Sequence, residues 1–374
     1  MSDLAGTTPT TGSGSARPST VGVIVNPQAG KDIRRLASAA SHTSDVSKMG
    51  IVRRVVLGAI ESGVERIFLS ADRNNLAARA IDGIDSASTT LELLDSPGTG
   101  SRHDTIAAAG ALRRAGAAAV VVLGGDGTSR DVATGWSDVP CVSISTGTNN
   151  VFPLSVDATS AGLAAGLIAT NVVPLDGVAR QAKRIVAEAT VAHINEPVTE
   201  IALVDLALID TTFVGARAVQ SAHEISAVLS CIAEPASTGL SSIAGRVLPT
   251  GRNEPGGVFL ELASAKNQDT ATNRDQPGLR VPISPGTFST LHVATARRVA
   301  NGETVQLHGP GVLALDGERY VRLEADDHVT ARIETDGPHM IDVNRTLRCA
   351  VTSQTVSPAA PPALAPNSQR TATS

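Results

Sequence analysis

The run Val120-Val121-Val122-Leu123 passes without a break into Gly124-Gly125-Asp126-Gly127-Thr128, and no other feature of the 374-residue chain limits its fold as much. From Ala117 to Leu123 the residues are almost wholly apolar, as in a strand buried on both faces of a helix-covered parallel sheet. A glycine-rich turn at the end of such a strand lets backbone N–H groups approach phosphate oxygens, because no Cβ stands in the way. A helix opening at Thr128 would aim its positive end at the same point. Thr128 and Asp131, three residues apart, resemble a capping box. Asp126 is the one carboxylate in the turn, fit to accept a proton from an attacking hydroxyl or to help place magnesium. Asp-Gly is also a favoured turn between a strand and a helix, so the loop alone leaves a purely structural reading open.

The surrounding pattern supports a layered α/β fold. Val21–Val25, Ile67–Ser70, Leu91–Leu94, Ala119–Leu123 and Cys141–Ser145 are candidate strands, separated by Ala-rich stretches such as Asp104–Ala115, which Gly116 stops. This reads as a parallel sheet with flanking helices over 20–174. After Pro174 alternation takes over, in Ile201–Leu208, Val258–Leu262, Thr287–Val293, Val312–Leu315 and Tyr320–Leu323, so 175–352 reads as a β-rich, mostly antiparallel domain. The length suffices for two cores. Residues 1–19 and 353–374, rich in Ser, Thr, Gly, Ala and Pro, read as a disordered leader and tail.

Two more loops are expected at the same sheet edge, where open α/β sheets bind ligands. Cys141–Ser145 leads into Thr146-Gly147-Thr148-Asn149-Asn150-Val151-Phe152-Pro153, and Val21–Val25 into Asn26-Pro27-Gln28-Ala29-Gly30. Asn149 and Asn150 have amides suited to a ribose or a phosphate, although Gly-Thr-Asn-Asn is also ordinary turn composition. Leu315-Asp316-Gly317-Glu318-Arg319 carries the Asp-Gly signal of a hairpin.

Several classes are disfavoured. Gly125-Asp126-Gly127-Thr128-Ser129-Arg130 has arginine where the dinucleotide fingerprint needs its third glycine, and Gly30-Lys31 is followed by Asp32 and lacks the upstream glycine of a Walker loop. His292, His308, His328 and His339 show no zinc spacing, and no nucleophile elbow occurs. A net charge of −5 and 2% aromatic residues offer little to a nucleic acid. The three cysteines, Cys141, Cys231 and Cys349, suit a reducing compartment, so a cytoplasmic location is expected. No apolar run reaches the roughly 18 residues of a membrane span.

Taken in order, Asn26-Pro27, Gly124 to Thr128, Thr146 to Pro153 and Asp316 to Arg319 resemble the motifs of the NAD kinase and diacylglycerol kinase-like superfamily, over about residues 20 to 350. Through these, with Ala202-Leu203-Val204-Asp205 and Gly215-Ala216-Arg217-Ala218, the chain is most similar to the ATP-NAD kinase branch that includes the AcoX proteins of acetoin catabolism. The resemblance implies an N-terminal α/β domain, a C-terminal β-sandwich and a crevice between them where ATP and Mg2+ meet a hydroxyl acceptor, in a homo-oligomer. By it, Asp126 matches the general base, Gly124, Gly125, Gly127 and Thr128 line phosphates, and Asn26, Thr148, Asn149 and Asn150 border the nucleotide. Asp316 and Glu318 would approach ATP or its metal, with Asp126 and Asp316 as metal candidates. NAD kinases open their second domain with an Asn-Glu pair; here that strand reads Ala-Leu-Val-Asp-Leu, so Asp205 stands for the glutamate, and Asn195-Glu196 falls outside it. NAD, giving NADP, is the leading acceptor. A lipid, a polyol or another small metabolite, or a nucleotide-binding sensor without turnover, are the alternatives.

Overall fold

The computed structural model describes residues 18–29, 43–86, 88–147, 150–191, 197–211, 224–263 and 278–354. The expected leader through 17, the tail from 355, Gly30-Lys31, Thr148, Asn149, Asn195-Glu196 and Gly215 to Ala218 lie outside these residues.

The first half follows the alternation read from the sequence. Strands β1 (Thr20–Val25), β2 (Arg66–Ser70), β3 (Thr90–Leu94), β4 (Ala119–Gly124) and β5 (Pro140–Ser145) are joined by helices α1 (Asp45–Glu61), α2 (Leu76–Ile81), α3 (Arg102–Arg114) and α4 (Asp126–Gly135), and α5 (Ala158–Ala169) follows β5. The strands are parallel in the order β3-β2-β1-β4-β5. The apolar run of β4 is buried on both sides, as its composition requires. Val121 and Leu123 join the core against α1 and α5, whereas Val120 and Val122 join the core against α3 and α4.

The second half is β-rich and built around an antiparallel sandwich. Its strands are β6 (Ala179–Gln181), β7 (Arg184–Thr190), β8 (Val198–Ala202), β9 (Asp205–Ile209), β10 (Ile225–Ser230), β11 (Gly257–Leu262), β12 (Leu279–Ser284), β13 (Thr287–Leu291), β14 (Val293–Val299), β15 (Thr304–His308), β16 (Gly311–Leu315), β17 (Glu318–Leu323), β18 (His328–Glu334) and β19 (His339–Ile341). A six-stranded sheet β14-β11-β10-β9-β16-β17 faces a four-stranded sheet β15-β18-β7-β8 across one apolar core. Helix α6 (Leu240–Val247) and the β12–β13 hairpin cover the outer face of the larger sheet. The chain then returns: β19 pairs with β5, β6 pairs with β19, and the final helix α7 (Val343–Gln354) packs on the first half.

Three local expectations are corrected. The strand expected over Ile201–Leu208 is two, β8 and β9, because the backbone N–H groups of Leu203, Val204 and Asp205 turn aside to the Asp316 carboxylate. Thr287–Val293 also divides, at His292, where the chain leaves its partner β12 and joins β11. The helix expected at Thr128 begins two residues earlier at Asp126, with extended Gly125 as its cap. Thr128 and Asp131 therefore do not form a capping box; they lie in the first two turns and have other partners, described below.

Candidate functional site

The parallel sheet reverses its winding between β1 and β4, and the loops leaving these strands meet there, at the position where open α/β sheets bind ligands. The Asn26 backbone N–H donates to Leu123 O (3.2 Å), and its side-chain Nδ2 donates to Thr128 Oγ1 (2.9 Å). The loop from β1 is thus tied to the first turn of α4. Behind it, the buried Lys48 of α1 donates from Nζ to Pro27 O at 2.7 Å.

Each glycine of the turn has a steric reason. A Cβ on Gly124 would lie 2.4 Å from Thr128 Cβ, one on Gly125 would lie 2.8 Å from Asn150 Oδ1, and one on Gly127 would lie 3.1 Å from Glu318 Oε1. The turn is thus closed in by neighbours from three different segments, two of them the ends of side chains, Asn150 and Glu318. Gly125 makes no side-chain cap bond to α4. The helix start at Asp126 brings partial positive charge to this loop junction.

The third loop arrives from β5. Thr146 N–H donates to Gly124 O (3.2 Å), and Asn150 Nδ2 donates to Ser145 Oγ (2.8 Å), which donates in turn to Gly147 O (2.9 Å). Asp126 is fixed by the same loop. Its Oδ1 accepts from Val151 N (3.0 Å) and Phe152 N (2.8 Å), and Val151 N also reaches Oδ2 at 3.2 Å. The carboxylate so held sits in the first turn of α4, where its charge complements the helix dipole. Asn26, Gly124, Gly125, Asp126, Gly127, Thr128, Asn150 and Glu318 are brought together; Thr148 and Asn149 fall outside the described residues.

Asp316 and Asp205 are not in that group. Asp316 occupies the left-handed corner of the β16–β17 hairpin (φ 50°), with Gly317 beside it at φ 75°, so the hairpin reading of Asp-Gly holds. Its side chain is 0% exposed, and its oxygens accept Leu203 N (3.0 and 3.2 Å), Val204 N (2.9 Å) and Asp205 N (3.4 Å). Burial raises its pKa, and Arg130 beside it and these amides work in the opposite direction. Asp316, expected near ATP or its metal, is here an internal anchor for the β8–β9 break. Asp205 is also buried, and its carbonyl accepts the Asp316 N–H (2.9 Å).

Between the halves runs a charged network that joins Asp131, Asp316 and Glu318 to Arg130, Arg102, Glu200 and Tyr320. Arg130 is 2% exposed; its Nη1 donates to Leu315 O (2.7 Å) and lies 3.9 Å from Asp316 Oδ2, and its Nη2 donates to Glu318 Oε2 (3.2 Å). Burial works against its charge, but Asp316, Asp131 and Glu318 outweigh burial and raise its pKa. Asp131 pairs with Arg102 Nε at 3.1 Å. Arg102 also meets Glu200 (3.3 Å) and stacks over the ring of Tyr320, 4.9 Å from its centroid. The Tyr320 hydroxyl makes short contacts with Arg102 and Glu200, and burial with Glu200's charge pushes it up to about 12. Tyr320 is the one tyrosine in the chain. Arginine in the place of the third fingerprint glycine was the available signal for Arg130, and its use is to bridge the halves.

Arg252, on the turn between α6 and β11, was also missed. It donates from Nη2 to Val151 O (2.6 Å) and from Nη1 to Phe152 O (3.2 Å), the loop that holds Asp126. A single arginine in a Gly- and Pro-rich turn carries no motif from which that contact could be read.

A doubly wound sheet with a glycine-cradled loop at its switch point, docked on an antiparallel sandwich, defines the NAD kinase and diacylglycerol kinase-like class. The ATP-NAD kinase N-terminal domain model matches residues 21–171, and the acetoin catabolism protein X C-terminal domain model matches 188–336. Within that class the chain belongs to the acetoin catabolism protein X family: it is 37% identical over 338 residues to acetoin catabolism protein X of Cupriavidus necator, covering 88% of this chain and 92% of that protein. Among solved structures, yeast NADH kinase complexed with NADH shares the fold at 12% identity and a TM-score of 0.51, over 94% of this chain and 91% of its own. A Bacillus anthracis protein described as a diacylglycerol kinase aligns at 12% identity and a TM-score of 0.44, over 87% of this chain and 99% of its own.

Proposed function

We propose that the protein is an ATP-dependent kinase that transfers a phosphoryl group to a hydroxyl of NAD, giving NADP, with Asp126 as general base. The observation that carries this reading is the Asp126 carboxylate, gripped by the Val151 and Phe152 amides within the glycine loop at the sheet's switch point. The ATP-NAD kinase domain match over the same segment supports it.

In this reading Gly124, Gly125, Gly127 and Thr128 present the loop and the α4 start to phosphate oxygens, and Asn26 and Asn150 border the nucleotide. The acceptor oxygen forms its bond to the terminal phosphorus as the bond to ADP breaks, and the hydroxyl proton passes to Asp126. Among the described residues there is no cluster of three or more His, Cys, Asp or Glu side chains of the kind that holds a resident metal. Asp126 and Glu318 are the two predicted carboxylates that reach the loop. One or two carboxylates fit magnesium, which keeps most of its ligands on phosphate and water and would supply charge neutralisation for the transferring group. Asp316 is spent on backbone amides, and we leave it out of the metal set.

A second acceptor is favoured by one observation. Where NAD kinases open their second domain with an Asn-Glu pair, this chain has Val204 and Asp205, so the asparagine is lost to an apolar residue, and both residues are buried with amides directed to Asp316. In this second reading the acceptor is another small hydroxyl compound, a polyol or a lipid headgroup, handled by the same phosphate loop. No helix of the described residues is long and apolar enough to cross a membrane.

The test is NADP formation by purified protein with NAD, ATP and magnesium, beside Asp126→Asn. Turnover lost by about 100-fold or more in the variant supports the base. ATP binding by calorimetry without NADP sends the search to the second class of acceptor, and equal activity in the variant removes Asp126 from the chemistry.

A further inference from the structure

The peptide that joins Val151 to Phe152 is held at both ends. Its carbonyl, Val151 O, accepts Arg252 Nη2 at 2.6 Å; its amide, Phe152 N–H, donates to Asp126 Oδ1 at 2.8 Å. The neighbouring units repeat the arrangement less directly, with Phe152 O taking Arg252 Nη1 at 3.2 Å and Val151 N donating to Asp126 Oδ1 at 3.0 Å. A cation on the oxygen of a peptide polarises its N–H, so hydrogen bonds in such a chain strengthen one another.

Arg252 is itself held by the second half. Its turn is pinned by the buried Lys183, whose Nζ donates to Gly251 O (3.1 Å) and Gly256 O (2.8 Å), by Gly256 N–H on Asn301 Oδ1 (2.8 Å), and by Glu254 Oε2 accepting Gly251 N–H (3.2 Å). The peptide it grips belongs to the first half, after β5, but the Phe152 ring is buried in the sandwich core. Burial depresses the Arg252 pKa, while the charges of Glu234 and Asp126 oppose that loss.

We propose that Arg252 is a positioning residue for Asp126: from the second half it clamps the 151–152 peptide and so orients the carboxylate that receives the acceptor's proton. The inference rests on Asp126 as general base, and it goes further by making the base depend on docking of the two halves. Arg252 touches no reacting atom. Its action passes through the two carbonyls it grips, Val151 O and Phe152 O, which is why a charge alone would not replace it.

The experiment reads the coupling between the clamp and the carboxylate. In amide NMR of nitrogen-15-labelled protein, Asp126→Asn shifts the Phe152 N–H whose hydrogen bond Asp126 accepts. That shift is expected to be clearly smaller in the Arg252→Met background, because the released peptide no longer holds the two groups together. In Arg252→Lys, which keeps a charge but not the two-pronged grip, the reduction is expected to be partial. Where phosphoryl transfer is measurable, Arg252→Met is expected to lower kcat by about 100-fold, the scale of a misplaced catalytic group, with KM for ATP unchanged, and Arg252→Lys to recover part of the loss. An equal Phe152 shift in the wild-type and Arg252→Met backgrounds overturns the inference; if Arg252→Met does not fold, an equal shift in Arg252→Lys does the same. A reduced shift in a protein with no kinase activity sustains the clamp and brings down the reading of function instead.

Discussion

The Phe152 amide lies 2.8 Å from Asp126 Oδ1 while the Phe152 ring, 1% exposed, is packed in the core of the opposite half. One residue therefore fastens the candidate base and fills the sandwich. Phe152→Ala is expected to destabilise the protein by about 3–5 kcal/mol, as for a buried aromatic truncated to a methyl. Phe152→Leu, which keeps the backbone bonds and most of the volume, should lose clearly less. Urea unfolding of both variants measures this; a loss below about 1 kcal/mol for the alanine would mean that the ring is not an anchor.

Asp316 joins a left-handed hairpin corner to the broken strand opposite it and faces Arg130 Nη1 at 3.9 Å. Asp316→Ala would leave a nearly buried guanidinium short of a counter-charge and three amides short of their acceptor. A loss of about 3–5 kcal/mol is expected. Asparagine tolerates the left-handed backbone and retains one acceptor oxygen, so Asp316→Asn should fall between alanine and wild type. Thermal melts of the three proteins give the order, and an alanine variant as stable as wild type contradicts the anchor.

Asp131 supplies a pH dependence. Burial pushes its carboxyl up to about 6 from 3.8, against the pull of Arg130 and Arg102. Between these values the folded protein holds a proton that the unfolded chain has released. Asp131's contribution to stability is therefore fully present below about 3.8 and is lost as pH rises to 6. The stability of wild type relative to Asp131→Asn should decline as pH rises through that window and level off above it. Chemical denaturation at intervals from pH 4 to 7 tests the slope, and parallel curves for the two proteins would contradict it.

The parallel layer was legible because β4 is apolar at every position and the glycine loop follows it directly; a strand buried on both faces has little choice of environment. The convergence of Asn26, Asp126 and Asn150 was legible for the same reason, since loops leaving adjacent parallel strands share an edge. The break at Leu203–Val204 was not, because Ile201 to Leu208 alternates like one strand and the carboxylate that interrupts it is 111 or more residues away. Arg252 was hidden likewise: its partners are carbonyl oxygens, which every residue has, so no residue type at either end marks the contact. The return of β19 to the first sheet rests on His339 and Met340 pairing beside β5, too short a strand for periodicity to show.

Two glycines in the helical layer separate packing from propensity. Gly162 of α5 faces α1 so closely that a Cβ would stand 2.0 Å from Val55 O, a backbone atom that cannot swing aside. Gly50, within α1, would place its Cβ no nearer than 4.0 Å to any such neighbour, the tip of Arg54. Alanine is the better helix former at both by about 1 kcal/mol, so on propensity alone both substitutions stabilise. At Gly162 overpacking outweighs this, because the helices must part along their whole contact; a net loss of about 1–3 kcal/mol is expected. At Gly50 nothing opposes propensity, and Gly50→Ala should gain about 0.5–1 kcal/mol. Opposite signs in matched urea titrations are the expected result. A gain at both positions would mean that α1 and α5 do not approach as closely as Gly162 requires.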